Sequence, residues 1–196
     1  MSDTLSSVSW LALGDSYTIG EGVPSEGRWP SQVAQQLRFA PPQYLAQTGW
    51  TTVDLREAVA SADLAHRYDW VSIQIGVNDQ YDGLGQQLYQ EGLETLIDFA
   101  LSRVEAPRSV LVVSIPDYSV TPFAQSREPL RIAQEVAAFN AIAQDVALSK
   151  RTTYCDITPA SQRASDDITL LADDGLHPST KMYQRWALQI AHQISR

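Results

Sequence analysis

The sequence predicts an α/β protein whose fold class is a three-layer α/β/α sandwich. Three observations support this: short apolar runs alternate with longer segments of helical spacing, glycine or proline often follows the apolar runs, and no repeat or linker interrupts the series. Parallel strands need crossover connections, which are most often helices, so this alternation favours a parallel sheet covered on both faces. Because 196 residues are enough to bury a substantial core, residues 1–196 are expected to form a single domain.

The strands are predicted by short runs of apolar and β-branched residues. In chain order these runs cover residues 7–13, 43–47, 70–75, 109–115 and 152–156. Gly14 and Gly76 mark the ends of the first and third runs, and Pro116 terminates the fourth, which is the most continuous β-branched run. The sequence therefore predicts five strands.

The helices are predicted by apolar residues that recur on one face and by residues that favour helix ends. Their starting signals in chain order are Pro30 with Ser31, Thr51 or Thr52, Gln86, Ile132, and Ser179 or Thr180. The Pro41–Pro42 pair stops the first helix, and the third and fourth run to residues 104 and 148. In folds of this class ligands bind beyond the carboxyl ends of the strands, so the loops after strands one, two and three are where chemistry is expected.

Charge and composition exclude several function classes. The formal net charge of −9 argues against a nucleic-acid partner, because such binding draws on Lys and Arg contacts to phosphates. No secretory signal is evident at residues 1–4, and no stretch approaches the roughly 20 apolar residues of a membrane span. A cytoplasmic protein without an integral membrane segment is expected, and its oligomeric state stays open.

Metal and redox chemistry find little support. The three histidines, His66, His177 and His192, are widely separated in sequence and form no His-x-x-x-His pair. Cys155 is the only cysteine, and it is expected to be a small buried hydrophobe. Neither a metal nor another cofactor is therefore predicted.

Residues suited to acyl chemistry follow the predicted strands. A serine hydroxyl is a poor nucleophile at neutral pH, so it needs an imidazole to accept its proton and a carboxylate to orient that imidazole. Ser16 follows the first strand, and Asp174 lies three residues before His177 near the end of the chain. These three residues are the candidate nucleophile, orienting carboxylate and base.

The attack of a serine on an ester creates an oxyanion, which needs hydrogen-bond donors already directed at it. The backbone N–H groups of Ser16 and Gly49 and the side-chain amide of Asn78 can supply them, because they follow strands one, two and three. Two alternative interpretations are not supported. A hydrolase with a Gly-x-Ser-x-Gly elbow is excluded because no such pentapeptide surrounds Ser16, and a phosphate loop is excluded because the Gly14 to Gly22 segment lacks its spacing.

Four sequence blocks resemble the signature blocks of the SGNH hydrolases, also called the GDSL esterase and lipase family. In family order they are Gly14-Asp15-Ser16-Tyr17-Thr18, Gly49, Gly76-Val77-Asn78-Asp79 and Asp174-Gly175-Leu176-His177. The resemblance implies a Ser16, Asp174 and His177 triad, an oxyanion hole of Ser16, Gly49 and Asn78, and a flavodoxin-like five-stranded sheet in the order 2-1-3-4-5. Tyr17 stands where the family name motif has Leu, and the second block has a single glycine.

The expected function is that of a metal-independent serine esterase that hydrolyses a small-molecule carboxylic ester. A short-chain acyl ester, an acetylated sugar and a lysolipid-like ester all remain open as substrates. Acyl transfer by the same triad and a non-catalytic binding module on the same fold are the alternatives. The segment 116–129, which includes Phe123 and Arg127, is the expected specificity loop, and Trp29, Trp50 and Tyr81 are further candidates to line the pocket.

Overall fold

The structure, a computed structural model, describes residues 8–195 and contains one five-stranded parallel sheet. The strands are β1 (Trp10–Gly14), β2 (Gln43–Ala46), β3 (Trp70–Gln74), β4 (Val110–Val113) and β5 (Thr153–Cys155). Their order in the sheet is β2-β1-β3-β4-β5, which confirms the order that the family resemblance implies. All five predicted strands are present, although residue 7 of the first prediction lies outside the described residues.

Helices connect the strands in the predicted alternation. They are α1 (Ser16–Ile19), α2 (Trp29–Leu37), α3 (Thr52–Ser61), α4 (Val77–Tyr81), α5 (Gln86–Leu101), α6 (Pro129–Ser149), α7 (Thr158–Ser161) and α8 (Thr180–Ile194). Of the alternative caps that the sequence offers, Thr51 caps α3 and Ser179 caps α8. Helix α2 ends before the proline pair, because Arg38 takes a left-handed conformation at φ 58°.

The helices form two layers on the sheet. Helix α2 packs against α8, whereas α5 packs against both α3 and α6. This division follows from right-handed crossovers, since the chain moves one way from β1 to β2 and the opposite way from β2 through β5. The direction changes at β1, so the crevice beyond the carboxyl ends of β1 and β3 is the position where such folds bind ligands.

The central strands β1, β3 and β4 are almost fully buried, and buried polar side chains at the sheet are hydrogen-bonded. All five residues of β1 are buried. The Trp29 indole N–H donates to Gln74 Oε1 at 2.8 Å, and Gln74 Nε2 donates to the Ser114 carbonyl at 3.1 Å. These hydrogen bonds offset the free-energy cost of burying polar groups beneath the crevice. The strand ends therefore form a rigid base for the loops above them.

Candidate active site

Ser16 is the first residue of α1, directly beyond the end of β1. The sharp turn into this helix depends on Gly14, where an added Cβ would clash with the Thr18 side chain and the Gln74 carbonyl. Asp15 is the N-cap of α1, and its Oδ1 accepts a hydrogen bond from the Tyr17 N–H at 2.9 Å. This local structure holds the Ser16 hydroxyl at the crevice with the start of a helix behind it.

His177 and Asp174 complete a hydrogen-bonded chain with Ser16. The distance from His177 Nε2 to Ser16 Oγ is 3.0 Å, and that from His177 Nδ1 to Asp174 Oδ2 is 2.6 Å. Ser16 and His177 are both buried. The structure therefore brings together the three residues that the sequence nominates, although Ser16 and His177 are 161 positions apart in the chain.

Asp174 also shapes the turn that carries His177. Its Oδ1 accepts hydrogen bonds from the N–H groups of Leu176 and His177, both at 2.9 Å. Partial burial acts to raise the pKa of the Asp174 carboxyl, but these bonds and the one from the His177 ring outweigh it and lower the pKa. The neighbouring Asp173 is exposed.

Tyr17, which stands at the leucine position of the family motif, packs against the imidazole. The centroids of the Tyr17 and His177 rings are 5.4 Å apart, and Tyr17 in turn lies 6.3 Å from the Trp186 ring of α8. Aromatic contacts at these distances favour tilted packing. The ring of His177 is thus held from one side by Asp174 and from another by Tyr17.

Ser16, Gly49 and Asn78, the expected sources of N–H donors, line one cavity. Ser16 N–H begins α1 and so has no partner within that helix. Gly49 lies in an exposed loop at φ 87°, a conformation that favours glycine, and an added Cβ would meet nothing within 4 Å. Asn78 is in the first turn of α4, and its Nδ2 donates one hydrogen bond to the Trp50 carbonyl at 2.8 Å. Its second N–H remains available to a ligand.

Two side-chain contacts fix the Gly49 loop relative to the other donors. On one side Thr48 Oγ1 donates to Glu21 in the segment after α1. On the other side Asp79, the neighbour of Asn78, accepts the Thr52 backbone N–H at 2.9 Å and also the Thr52 hydroxyl. The loop is therefore tied to the chain segments that carry Ser16 and Asn78.

Asp15 and Asp79 are fully buried carboxyl groups whose part in the site the sequence reasoning missed. Burial, together with the charge of Asp79, raises the pKa of Asp15 to about 7, even though the Tyr17 N–H bond acts in the opposite direction. Burial also raises the pKa of Asp79, against the hydrogen bonds from Thr52. Their adjacency to Ser16 and Asn78 is the only sequence signal that pointed to them.

A cavity of about 210 Å³, here called the Ser16 cavity, lies above these groups. Besides Ser16, Gly49, Asn78 and His177, its lining is mainly apolar and aromatic, with Val77, Tyr81, Tyr118, Phe123 and Leu176. Tyr81 and Phe123 line it as predicted. Trp29 does not line the cavity, because its side chain is fully buried and donates a hydrogen bond to Gln74. Trp50 does not form a wall of the cavity either, and its carbonyl accepts a hydrogen bond from the Asn78 side chain.

Three other features bear on what the chain can do: groups of metal-ligating side chains, the cysteine and apolar helices. Within residues 8–195 no group of three or more His, Cys, Asp or Glu side chains is arranged to hold a metal ion. Cys155 is buried, and burial raises the pKa of its thiol to about 12, so it is a poor nucleophile. None of the helices in the described part of the chain is long and apolar enough to cross a membrane.

Comparisons with known proteins identify a family and similar folds. Residues 12–185 match the family described as GDSL-like lipase/acylhydrolase. A search of curated proteins finds no significant match in sequence. Among solved structures, the acetylxylan esterase Axe2 from Geobacillus stearothermophilus is 20% identical with a TM-score of 0.75, and the match covers 96% of this chain and 94% of that one. A member of the lipolytic protein G-D-S-L family from Veillonella parvula is 14% identical with a TM-score of 0.75, covering 97% and 100% respectively.

Proposed function

The chain belongs to the GDSL-like lipase/acylhydrolase family, and from this premise we propose that it hydrolyses a carboxylic ester through an acyl-enzyme formed on Ser16. The observation that carries the proposal is the continuous hydrogen-bonded chain from Ser16 through His177 to Asp174. A serine beside an oriented imidazole is the arrangement that nucleophilic acyl transfer requires.

In the first half of the cycle Ser16 Oγ attacks the ester carbonyl carbon while His177 Nε2 accepts its proton. The carbonyl oxygen becomes an oxyanion, which the N–H groups of Ser16, Gly49 and Asn78 stabilise. The Asp174 carboxylate holds the proton on His177 Nδ1, so that Nε2 is the basic nitrogen, and it stabilises the imidazolium that forms. Collapse of the intermediate breaks the bond to the alkoxy oxygen, and His177 returns its proton to the departing alcohol.

In the second half a water molecule replaces the alcohol beside His177. His177 Nε2 removes a proton from this water as it attacks the acyl carbon of the ester on Ser16. The same three N–H donors stabilise the second oxyanion. Collapse then releases the carboxylic acid and returns the proton to Ser16 Oγ, so the enzyme regains its starting state.

The size of the Ser16 cavity supports a short acyl group. Its volume of about 210 Å³ lies below the usual range of pockets that enclose drug-sized ligands, which begins at about 300 Å³. Tyr81, Tyr118 and Phe123 form part of its wall. We therefore propose acetyl and similarly short acyl groups as the substrate's acid component.

Steady-state hydrolysis of 4-nitrophenyl acetate by the wild type and by Ser16→Ala tests the proposal. Ser61→Ala is a matched control, because Ser61 is exposed at the end of α3 and its hydroxyl donates to carbonyl groups of the same helix. We expect Ser16→Ala to lose at least about 10³-fold in kcat and the control to stay within about two-fold. A folded Ser16→Ala protein with undiminished activity would exclude Ser16 as the nucleophile.

The acyl length is tested with 4-nitrophenyl esters of two to twelve acyl carbons, a range chosen for the experiment. Activity should be greatest for the shortest acyl groups and fall as the chain lengthens. Replacing Phe123 by Ala should move the maximum toward longer chains, because this side chain forms part of the wall. A wild-type maximum at long acyl chains would contradict the short-acyl assignment without affecting the role of Ser16.

A further inference from the structure

A second cavity adjoins the Ser16 cavity, and we propose that it binds the alcohol part of the ester as a neutral, hydroxyl-rich ring such as a sugar. The inference rests on the proposed esterase function. This second cavity has a volume of about 270 Å³, and its lining includes Asp82, Gly83, Arg127 and Glu128. We call it the Asp82 cavity. It shares Tyr81 and Tyr118 with the Ser16 cavity, so one substrate can extend from one into the other.

Tyr81 forms the boundary between the two cavities. It lies three residues after Asn78 in α4, so the two side chains project from the same face of the helix. Half of Tyr81 is exposed, although its ring packs 6.1 Å from that of Phe123. A half-exposed tyrosine offers both an apolar ring face and a hydroxyl, which together suit a ring-shaped polar alcohol.

Tyr118, which also lines both cavities, is held in place by a chain of hydrogen bonds. Tyr118 Oη donates to Gln80 Oε1 at 2.7 Å, and Gln80 Nε2 donates to Glu135 Oε2 at 2.8 Å. Arg131 Nε then donates to Glu135 Oε1 at 2.7 Å. These bonds leave the lining of the Asp82 cavity ordered before a substrate arrives, which lowers the entropy lost on binding.

Asp82 and Arg127 are the groups available to a ligand in the Asp82 cavity. Arg131 is already paired with Glu128 and Glu135, whereas Asp82 forms no ion pair within residues 8–195. The Arg127 guanidinium lies 4.0 Å from the centre of the Phe123 ring. Its Nη1 donates to the Phe123 carbonyl at 2.8 Å, which leaves further N–H groups of the guanidinium for a ligand.

The charges of the Asp82 cavity disfavour an anionic ligand. Asp82, Glu128 and Glu135 outnumber Arg127 and Arg131 in its lining, and the whole chain carries a formal net charge of −9. An anionic group would therefore meet unfavourable potential. A hydroxyl group, in contrast, donates to a carboxylate and accepts from a guanidinium, so adjacent hydroxyls on a ring match Asp82 and Arg127 together.

The position of His177 indicates that this ligand is the alcohol rather than the acid. His177 must deliver a proton to the alkoxy oxygen, so the alcohol leaves beside it. The Phe123 N–H donates to the carbonyl of Gly175, two residues before His177, at 3.3 Å. The segment with Phe123 and Arg127 therefore adjoins the turn of His177, and an alcohol leaving at His177 can reach the Asp82 cavity past Phe123.

The test compares two acetate esters of similar ring size: a methyl glycoside with one O-acetyl group, and cyclohexyl acetate. For the wild type, kcat/KM should be at least about ten-fold higher for the glycoside, because only this ester offers hydroxyls to the Asp82 cavity. Asp82→Ala should reduce that preference about ten-fold. Asp63→Ala, which changes an equally exposed aspartate after α3, should leave the preference as in the wild type.

The outcomes separate this inference from the proposed function. If 4-nitrophenyl acetate is hydrolysed in a Ser16-dependent manner but the wild type shows no preference for the glycoside, the proposed function stands and the alcohol subsite is wrong. An unchanged preference in Asp82→Ala has the same meaning. If an acetylated sugar acid is preferred over the neutral glycoside, the ligand of the Asp82 cavity is anionic, and the neutral assignment is overturned.

Discussion

Asp79 accepts two hydrogen bonds from Thr52, one from the backbone N–H at 2.9 Å and one from the hydroxyl. Because Asp79 follows Asn78 and Thr52 lies three residues after Gly49, this contact joins the helix of one proposed oxyanion donor to the loop of another. The distance between two donors must be correct before the oxyanion forms, since stabilisation depends on dipoles that need not reorganise. We therefore propose that Asp79 is a positioning residue for the oxyanion hole.

Asp79→Ala is expected to lower kcat by about ten-fold and to change KM less, because the Gly49 loop loses its contact with α4. Asp79→Asn keeps an acceptor for Thr52 and should restore most of kcat. Asp54→Ala is the control, since Asp54 belongs to the capping box of α3 and should lower thermal stability without touching α4. An equal loss of kcat in Asp54→Ala would mean that Asp79 only stabilises α3.

Asn78→Ala should lower kcat for 4-nitrophenyl acetate about 10²- to 10³-fold with little change in KM. The physical reason is that an oxyanion donor acts mainly in the transition state. The Asn78 amide also donates to the Trp50 carbonyl, so the melting temperature of the variant is measured alongside. A decrease of only a few percent in kcat would assign Asn78 to loop structure.

Asp174→Asn should reduce kcat by about 10³- to 10⁴-fold while the protein remains folded. An Asn side chain can still accept the N–H groups of Leu176 and His177 through Oδ1, but its amide cannot hold a proton on His177 Nδ1. Asp173→Asn is the matched control, because that aspartate is exposed. Equal activities of the two variants would argue against an orienting role for Asp174.

The buried Asp15 predicts a specific dependence of stability on pH. Its pKa is about 7 in the folded protein against an ordinary 3.8, so between these values the folded state holds a proton that the unfolded chain has released. This group's contribution to the free energy of unfolding therefore falls as pH rises from about 4 to about 7, by up to about 4 kcal/mol, and then stays constant.

Asp15→Asn removes this titration and retains an oxygen for the Tyr17 N–H. Urea unfolding of both proteins between pH 4 and 8 measures the difference in their free energies of unfolding. The variant should gain stability relative to the wild type as pH rises through this window. A difference that is independent of pH would show that Asp15 does not hold a proton in the folded state.

Much of the site could be predicted because several of its residues follow strands that the sequence itself predicts. The turn of Asp174 and His177 is local, so the spacing of the family block is enough to pair them. Ser16, Gly49 and Asn78 each follow a strand, and parallel strands bring their carboxyl ends to one edge. The sheet order came from the family resemblance, not from the strands alone.

Other features could not be read from the chain. Helices α1 and α4 have only four and five residues, too few to show helical periodicity. Trp29 was expected to line the pocket, but its direction depends on how α2 packs, and it points to Gln74 in the interior. The contact between Asp79 and Thr52 joins residues 27 positions apart in the first turns of two different helices, and only their packing brings them together.

The most direct test of Ser16 as the nucleophile is peptide mapping by mass spectrometry after the protein reacts with a fluorophosphonate. This reagent forms a stable bond with a serine that an adjacent base activates. We predict one label for each chain, located on Ser16 and absent in Ser16→Ala. A folded wild-type protein that stays unlabelled, or that carries its label on a different serine, would contradict the mechanism.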